Sequence, residues 1–592
     1  MRILAPLLLA AALCAAPAPA QTPFDLTEVA WTIHADPGGG LLKMEMRLTP
    51  LHQRERMVLR MPLWRPGSYR YAQYQQKLTA LTATDQSGGA REILLCDDRT
   101  WQVDTAGATE LTVTYDLAVE NVADEGAVPA IMRHGPATFL FVEDALNLPH
   151  TLRFDLPAGW EHASGHRAHP DLQHTVYSPN YDVFVDCPIA LGELERLAFD
   201  LHERPFEVVL YGKRPTEEQM PRAAWVETVR RISDAAYGVV GDFPFERYVY
   251  LFGFTDIGGG SGLEHLNSTT IEFNHGSVKS GNREGLESVT AHEFFHLWNV
   301  KRIRPDILGP FDYTTDARTR DLWWMEGVTS YYNDVILQRS GLRSGTENWF
   351  VESQADVGRS LQAVPGYGKL SPERASWMVW DGGVANQISY YDQGQALGFL
   401  LDIQIRHHTQ NRRTLDDVMR FLHRWVGYPD AGLRPGDLER AVRAISGWDC
   451  GEFFDRHVAG NQRFPYSKIL PLAGIGCAEQ RVGDPYLGIA LNEKLVLTRD
   501  EVEAGLKIGD QLVRIANAGV KTQADLRDAT AALATGAEIE LVLERPGAGR
   551  VKVPWTVKQR DNSDLRVWLN PSATAEQSAI LQGILTGTPA GI

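Results

Sequence analysis

Apolar positions change rhythm twice along this 592-residue chain. From about residue 24 to 195 they fall in short runs, cut by clusters of Asp, Gly, Pro and Asn. Val58–Met61, Leu111–Val119, Thr138–Val142 and Thr151–Leu156 are examples. Such runs predict strands and a β-sandwich-like domain. Inside it, Trp64-Arg65-Pro66-Gly67-Ser68-Tyr69 reads as an aromatic-clasped turn whose Pro and Gly set the backbone. From about 200 the period lengthens. It predicts a helix over Thr216–Val240, a strand at Arg247–Phe254, a glycine loop Gly258-Gly259-Gly260-Ser261-Gly262 and a second strand at Ser268–Phe273. A helix then opens near Asn282 and closes before Pro305. Leu286, Val289, Phe294, Phe295, Leu297 and Trp298 clothe it on most sides, so it is expected to be buried. Lys301, Arg302 and Arg304 stand at its C-terminal end, where cations suit the helix dipole. Further helices are expected at Leu322–Arg339 (stopped by Gly341), Asp392–His407, Leu415–Trp425 and Gly436–Ile445. Near 480 the pattern changes again, to a strand at Leu512–Ile515, a helix at Gln523–Leu533 and a strand at Glu538–Glu544. Residues 563–592 read as a short tail without an assigned role.

Composition changes this picture little: 44% hydrophobic and 22% charged residues, with no low-complexity tract, describe an ordinary globular chain long enough for three or four domains. The formal charge of −17 argues against nucleic acid and anionic membrane as partners, and leans weakly towards cationic amines. Residues 1–20 read as a signal peptide: Arg2, the apolar stretch Ile3–Ala16, and Ala18-Pro19-Ala20 before Gln21. The stretch is too short to span a bilayer, and no later segment has the length. The expectation is an exported protein without a membrane span, periplasmic or secreted. Once Cys14 leaves with the leader, Cys96, Cys187, Cys450 and Cys477 remain. Their spacing fits no zinc ribbon or redox motif, and Cys450 with Cys477 is the nearest candidate pair.

The chemistry concentrates at His292-Glu293-Phe294-Phe295-His296. Histidines four apart on a helix project from one face, one turn apart, a reach that suits one Zn²⁺. The glutamate beside the first is placed to take a proton from water on that metal. The bland alternative is a buried helix with two satisfied core histidines. A catalytic zinc needs a third protein ligand, and Glu326, thirty positions after His296, is the candidate. It lies in an apolar helical run, where an unpaired acid is costly to bury and coordination removes the cost. The competing readings for Glu326 are a half-exposed helix acid or an ion pair with Arg302. Thr329 or Asn333, one and two turns on, are candidates to orient a ligand.

His292–His296, continued through Leu297-Trp298-Asn299-Val300-Lys301-Arg302-Ile303-Arg304-Pro305, resembles the signature of the glycyl aminopeptidase family of zinc metallopeptidases, family sixty-one. Trp64–Tyr69 and Tyr181-Asp182-Val183-Phe184-Val185-Asp186-Cys187-Pro188-Ile189 resemble that family's N-terminal β domain. Tyr486-Leu487-Gly488-Ile489 and Ala504-Gly505-Leu506-Lys507-Ile508-Gly509-Asp510, with the elements that follow, resemble a PDZ domain, which also fits the family. The resemblance implies a multidomain α+β chain: a β-sandwich-like domain over 21–195, a mostly helical, thermolysin-like catalytic domain over 196–478 and a PDZ domain over 479–562. It implies one zinc per chain on His292, His296 and Glu326, Glu293 as general base, and release of N-terminal residues, glycine or alanine preferred.

Ser261-Gly262-Leu263-Glu264-His265 is similar to the Gly-x-Met-Glu-Asn segment of related zinc aminopeptidases. There the glutamate holds the substrate's α-ammonium while the strand edge pairs with its backbone. That makes Glu264, with Gly262 and Leu263, the candidate substrate-binding residues. Ser261, Leu263 and His265 depart from the pattern. Tyr390-Tyr391-Asp392-Gln393-Gly394 resembles the Tyr-x-Lys-Gly segment of the same enzymes, with Gln393 for Lys. It implies Tyr391, with Tyr390 as the alternative, as the phenol that donates to the oxyanion. Two rivals stand beside the aminopeptidase: an endopeptidase whose PDZ domain presents substrate, and a non-catalytic exported peptide-binding protein.

Overall fold

Strict alternation builds the first domain. In Glu28–Asp36, Leu41–Thr49 and Leu111–Ala118, Val29, Trp31, Ile33, Leu42, Met44, Met46, Leu48, Val113, Tyr115 and Leu117 all point to one buried face. These strands belong to a seven-stranded sheet. Against its buried face lies a four-stranded sheet that contributes Met57, Leu59, Trp101, Val103 and Phe141 to the same core. The two faces enclose the short helix Tyr181–Asp186, capped by the Asn180 side chain. The computed structural model describes residues 26–587 apart from 37–39, 50–54, 120–128, 257–258, 282, 344–346, 428–430, 483–484, 493, 500–504 and 560–561. The predicted leader, Gly258, Asn282 and Ala504 lie outside the described residues.

A third, three-stranded sheet (Ala130–Arg133, Glu161–Ser164, Ile189–Gly192) faces the second domain. Ala130, Ala163 and Ala190 meet Val209, Tyr211, Val249 and Leu251 there in a small interdomain core. Small residues let the two sheets approach closely. The second domain's sheet has five strands, in the order Glu195–Leu201, Arg204–Gly212, Tyr248–Thr255, Ser268–Asn274, Ser261–Glu264. Tyr248–Thr255 is apolar at nearly every position because both its faces are covered. Tyr248, Tyr250, Phe252 and Phe254 face the helices, while Val249 and Leu251 face the first domain.

The helices follow the expected period, with informative exceptions. Arg222–Val240 covers the sheet with Trp225, Val229, Ile232 and Ala236. The histidine helix, Glu284–Phe295, stops far short of Pro305. His296 caps it, and the chain turns through Leu297–Ile303 because the Asn299 side chain donates to the carbonyls of Trp324 and Met325. Lys301 and Arg302 therefore do not serve the helix dipole. Lys301 pairs with buried Asp186 of the first domain at 2.5 Å, and Arg302 donates to the carbonyls of Leu266, Leu297 and Pro244. The segment expected as one regular helix from Leu322 begins as a π-helix, Trp323–Val328, and becomes α-helical over Thr329–Arg339. Helices Tyr390–His408, Leu415–Val426 and Asp437–Ser446 lie near their expected places. Glu347–Ala363 is an additional one.

Residues 563–592 form no loose tail over their described part. The strand Asn562–Leu569 pairs antiparallel with Ile475–Val482, and the helix Ala575–Thr586 buries Ile580, Leu581, Ile584 and Leu585 in the core of the helical domain. Between these paired strands sits a small body with its own core of Leu487, Leu497, Leu512, Ile515, Leu541, Leu543 and Trp555. It has a four-stranded sheet and the helix Gln523–Ala531. Its Gly509-Asp510 turn is closed by Asp510, which accepts from the Lys507 backbone and from Arg545 at 2.7 Å. Cys450 is a buried thiol directed at the Glu439 carbonyl, so the Cys450–Cys477 bridge does not form. Cys96 and Cys187 are likewise outside any disulfide. Among the described residues, no helix is long and apolar enough to cross a membrane.

Candidate metal centre

Two helices and one strand edge converge on three side chains. His292 and His296, on consecutive turns, bring their Nε2 atoms to 3.0 Å of one another. Glu326 Oε2, from the π-helical segment, lies 3.6 Å from the first and 3.2 Å from the second. Ligands about 2.0–2.1 Å from a tetrahedral ion stand roughly 3.3 Å apart, so this triangle has the size a zinc ion requires. The tautomer agrees. His296 Nδ1 lies 2.6 Å from the Asn299 carbonyl, which can only accept, so the proton sits on Nδ1 and the Nε2 lone pair faces the centre. His292 Nδ1 has the Ser330 hydroxyl at 3.5 Å.

The π-helix and a glycine contact place Glu326. A Cβ on Gly394 would stand 1.7 Å from the Trp323 carbonyl oxygen, and one on Gly327 2.4 Å from the Gly394 Cα. Only two glycines let the helix Tyr390–His408 press so closely on the segment that carries the acid. The same contact sets the first turn of that helix, with Tyr390 and Tyr391, beside the site. The Tyr391 ring lies 6.1 Å from the His292 ring and stacks on Tyr390 at 4.8 Å.

Two more buried carboxylates complete the surroundings. Oxygens of Glu264 and Glu293 and a nitrogen of His296 lie within 4.8 Å of one another. Glu264 ends the edge strand Ser261–Glu264, whose Gly262 pairs with Ile271. That glycine backs directly on the general-base candidate: a Cβ there would meet Glu293 Cγ at 2.2 Å. Leu263 is buried. Glu293 Oε2 and Glu264 Oε1 are buried acceptors without a hydrogen-bond partner, which is costly unless a cation or polar group meets them.

The electrostatics follow from this crowding. Burial, reinforced by Glu264 and Glu326, raises the Glu293 carboxyl well above the ordinary carboxylate range, against the pull of His296. Burial works against charge on His296, but Glu326 beside it wins and lifts the ring to about 10, so Nε2 holds a proton unless a metal ion takes that proton's place on the lone pair. Glu326 is held low by the two imidazoles despite its burial. A buried set of two imidazoles and a carboxylate, with two further acids adjoining, therefore calls for positive charge. Zinc takes this donor set in catalytic sites. Burial and the neighbouring acids keep the Tyr391 phenol protonated, and thus a donor, at neutral pH.

Of the residues named from the sequence, His292, His296, Glu326, Glu293, Glu264, Gly262 and Tyr391 are brought together here. The expected supports are not. Thr329 braces Asn299, whose carbonyl meets His296, and Asn333 bonds Ser288 and Asp334; neither hydrogen-bonds to a candidate ligand itself. The Asn299 carbonyl and Ser330 do so instead. Ser330 follows Glu326 by one turn, a spacing that could have revealed it. Two contributions from the first domain were also not foreseen. Asp186 holds the chain just after Glu264, accepting from the Leu266 N–H at 2.7 Å and from Lys301. The Pro66–Tyr69 turn touches Glu264 itself: a Cβ on Gly67 would lie 2.8 and 2.9 Å from its two oxygens.

Comparison with known proteins agrees with this geometry. Residues 286–397, which contain His292, Glu293, His296, Glu326 and Tyr391, match the M61 glycyl aminopeptidase family. Residues 32–193 match the peptidase M61 N-terminal domain. No curated protein matches the chain. In fold it is similar to the crystal structure of an aminopeptidase N family protein from Idiomarina loihiensis, 21% identical, with a TM-score of 0.81 over 94% of this chain and 100% of that one. Two stretches of the chain thus match domains of the M61 peptidase family, one of them holding the candidate metal centre, which supports a peptidase.

Proposed function

We propose that this protein is an exported zinc aminopeptidase that removes small N-terminal residues, glycine or alanine preferred, from peptides. The observation that carries the reading is the 3.0–3.6 Å triangle of His292, His296 and Glu326 with the carboxylates of Glu293 and Glu264 beside it. A zinc ion held by those three side chains would supply Lewis acidity at the scissile carbonyl and acidify a water. The chain's own residues do the rest. Glu293, buried and raised in pKa, takes the proton of the attacking water and returns it to the leaving amine. The Tyr391 phenol donates to the developing oxyanion. Glu264, with its unpartnered oxygen, binds the α-ammonium, so that only a chain end fits. The small C-terminal body, read as a PDZ domain, takes an extended peptide by strand addition.

A panel of fluorogenic aminoacyl amides, run with and without chelator, tests this function. Activity that disappears with the chelator and returns with zinc is expected. Free and N-acetylated forms of one peptide separate the readings: equal cleavage of both would make the protein an endopeptidase.

A further inference from the structure

Resting on the aminopeptidase reading, we propose that the Pro66–Tyr69 turn of the N-terminal domain walls the pocket for the first residue and that Tyr69 limits its size. An amine seated on Glu264 places its own Cβ only about 2.5 Å away, by ordinary bond lengths. The first side chain must therefore emerge beside Glu264. On one side stand Glu293 and His296; on the other, Gly67 already touches the carboxylate, in a left-handed conformation with φ of 80°. The cavity that Pro66, Gly67, Tyr69 and Glu264 share is about 10 Å³, the space of a single water, and Val300, Lys301, Leu308 and Phe311 close its other side.

The wall is also stiff. Tyr69 is 6% exposed and packs edge-on against Trp380 at 6.3 Å; Trp380 in turn packs on Trp64 at 5.3 Å. The Trp64 indole donates to the Asp312 carbonyl, and both Trp64 and Tyr69 belong to the core of the helical domain. Tyr69, Gly67 and Glu264 line the same small cavity, which sets the Tyr69 side chain beside the candidate amine anchor. A peptidase built this way needs both domains docked to recognise its substrate.

The test is a comparison of kcat/KM for glycyl, alanyl, leucyl and phenylalanyl amides. Mismatch by one methylene in such a pocket is worth about 10–200-fold. Tyr69→Ala is expected to raise the leucyl-to-alanyl ratio at least tenfold while zinc content stays at one per chain. Tyr69→Leu, which keeps apolar packing on Trp380, shifts the ratio the same way by less, and Tyr69→Phe leaves it unchanged. A role in folding alone would depress all substrates together. An unchanged ratio in both Tyr69→Ala and Tyr69→Leu, in enzyme that still requires a free amine, overturns the assignment to Tyr69 and spares the aminopeptidase reading. Cleavage of N-acetylalanyl amide as fast as the free form overturns both.

Discussion

At the scale of single residues, the site is a contest between burial and charge. Glu293 has an unpartnered oxygen and a raised pKa because Gly262 covers it and two other acids stand near. Glu293→Gln preserves shape and removes the proton acceptor. It is expected to bind zinc at wild-type stoichiometry, by metal analysis, while kcat falls about 10²–10⁴-fold. A second buried acid, Asp334, has no part in the chemistry. It accepts from Ser353, Gln354, Gln395 and Asn333, and burial lifts it to about 6. Its folded pKa exceeds the unfolded value near 4. The stability its proton confers is therefore complete below pH 4 and lost as pH rises through 6, on the order of 3 kcal/mol. Thermal unfolding of Asp334→Asn should lack that decline between pH 4 and 7; an identical slope in variant and wild type would remove Asp334 as its source.

At the scale of elements, the acid ligand is placed by a helix contact. The approach of Gly394 to Trp323 and Gly327 leaves no room for a methyl group. Gly394→Ala forces the two segments apart, at a cost of about 1–3 kcal/mol for overpacking, and carries Glu326 away from the imidazoles. Lower stability in denaturant and weaker zinc retention in equilibrium dialysis are the expected pair of outcomes. Retention equal to wild type would show that Glu326 is held some other way. The turn after His296 is the complementary device. A helix continued to Pro305 would carry the Asn299 carbonyl along the axis, away from the imidazole it fixes at 2.6 Å.

At the scale of the whole molecule, the small C-terminal body hangs between two strands that pair with each other. Val482 lies opposite Asn562, and Ile475 opposite Leu569. Replacing residues 483–561 by a short hairpin loop is therefore expected to leave a folded enzyme with near-normal activity on small amides. Ending the chain at 562 instead removes the helix Ala575–Thr586 and its four buried aliphatic side chains from the core. That variant should unfold far more easily, as circular dichroism would report. Equal stability of the two would contradict this division of labour.

The sequence by itself determined what short-range periodicity can encode: strands in the first domain, helices in the second, and two imidazoles on one helical face with a glutamate between them. Local spacing alone imposes those, because a helix or strand repeats whatever its surroundings. The triangle with Glu326 needed two elements thirty residues apart to meet. The Asn299 carbonyl, the Trp64–Tyr69 turn from another domain and the return of residues 563–586 to the core needed the chain to close on itself. Side-chain hydrogen bonds of Asn299 and Thr329 accompany the departure of both helices of the candidate site from a regular period, and glycine contacts set how closely the segments approach. Such long-range terms leave no period to read, so only the tertiary structure decided them.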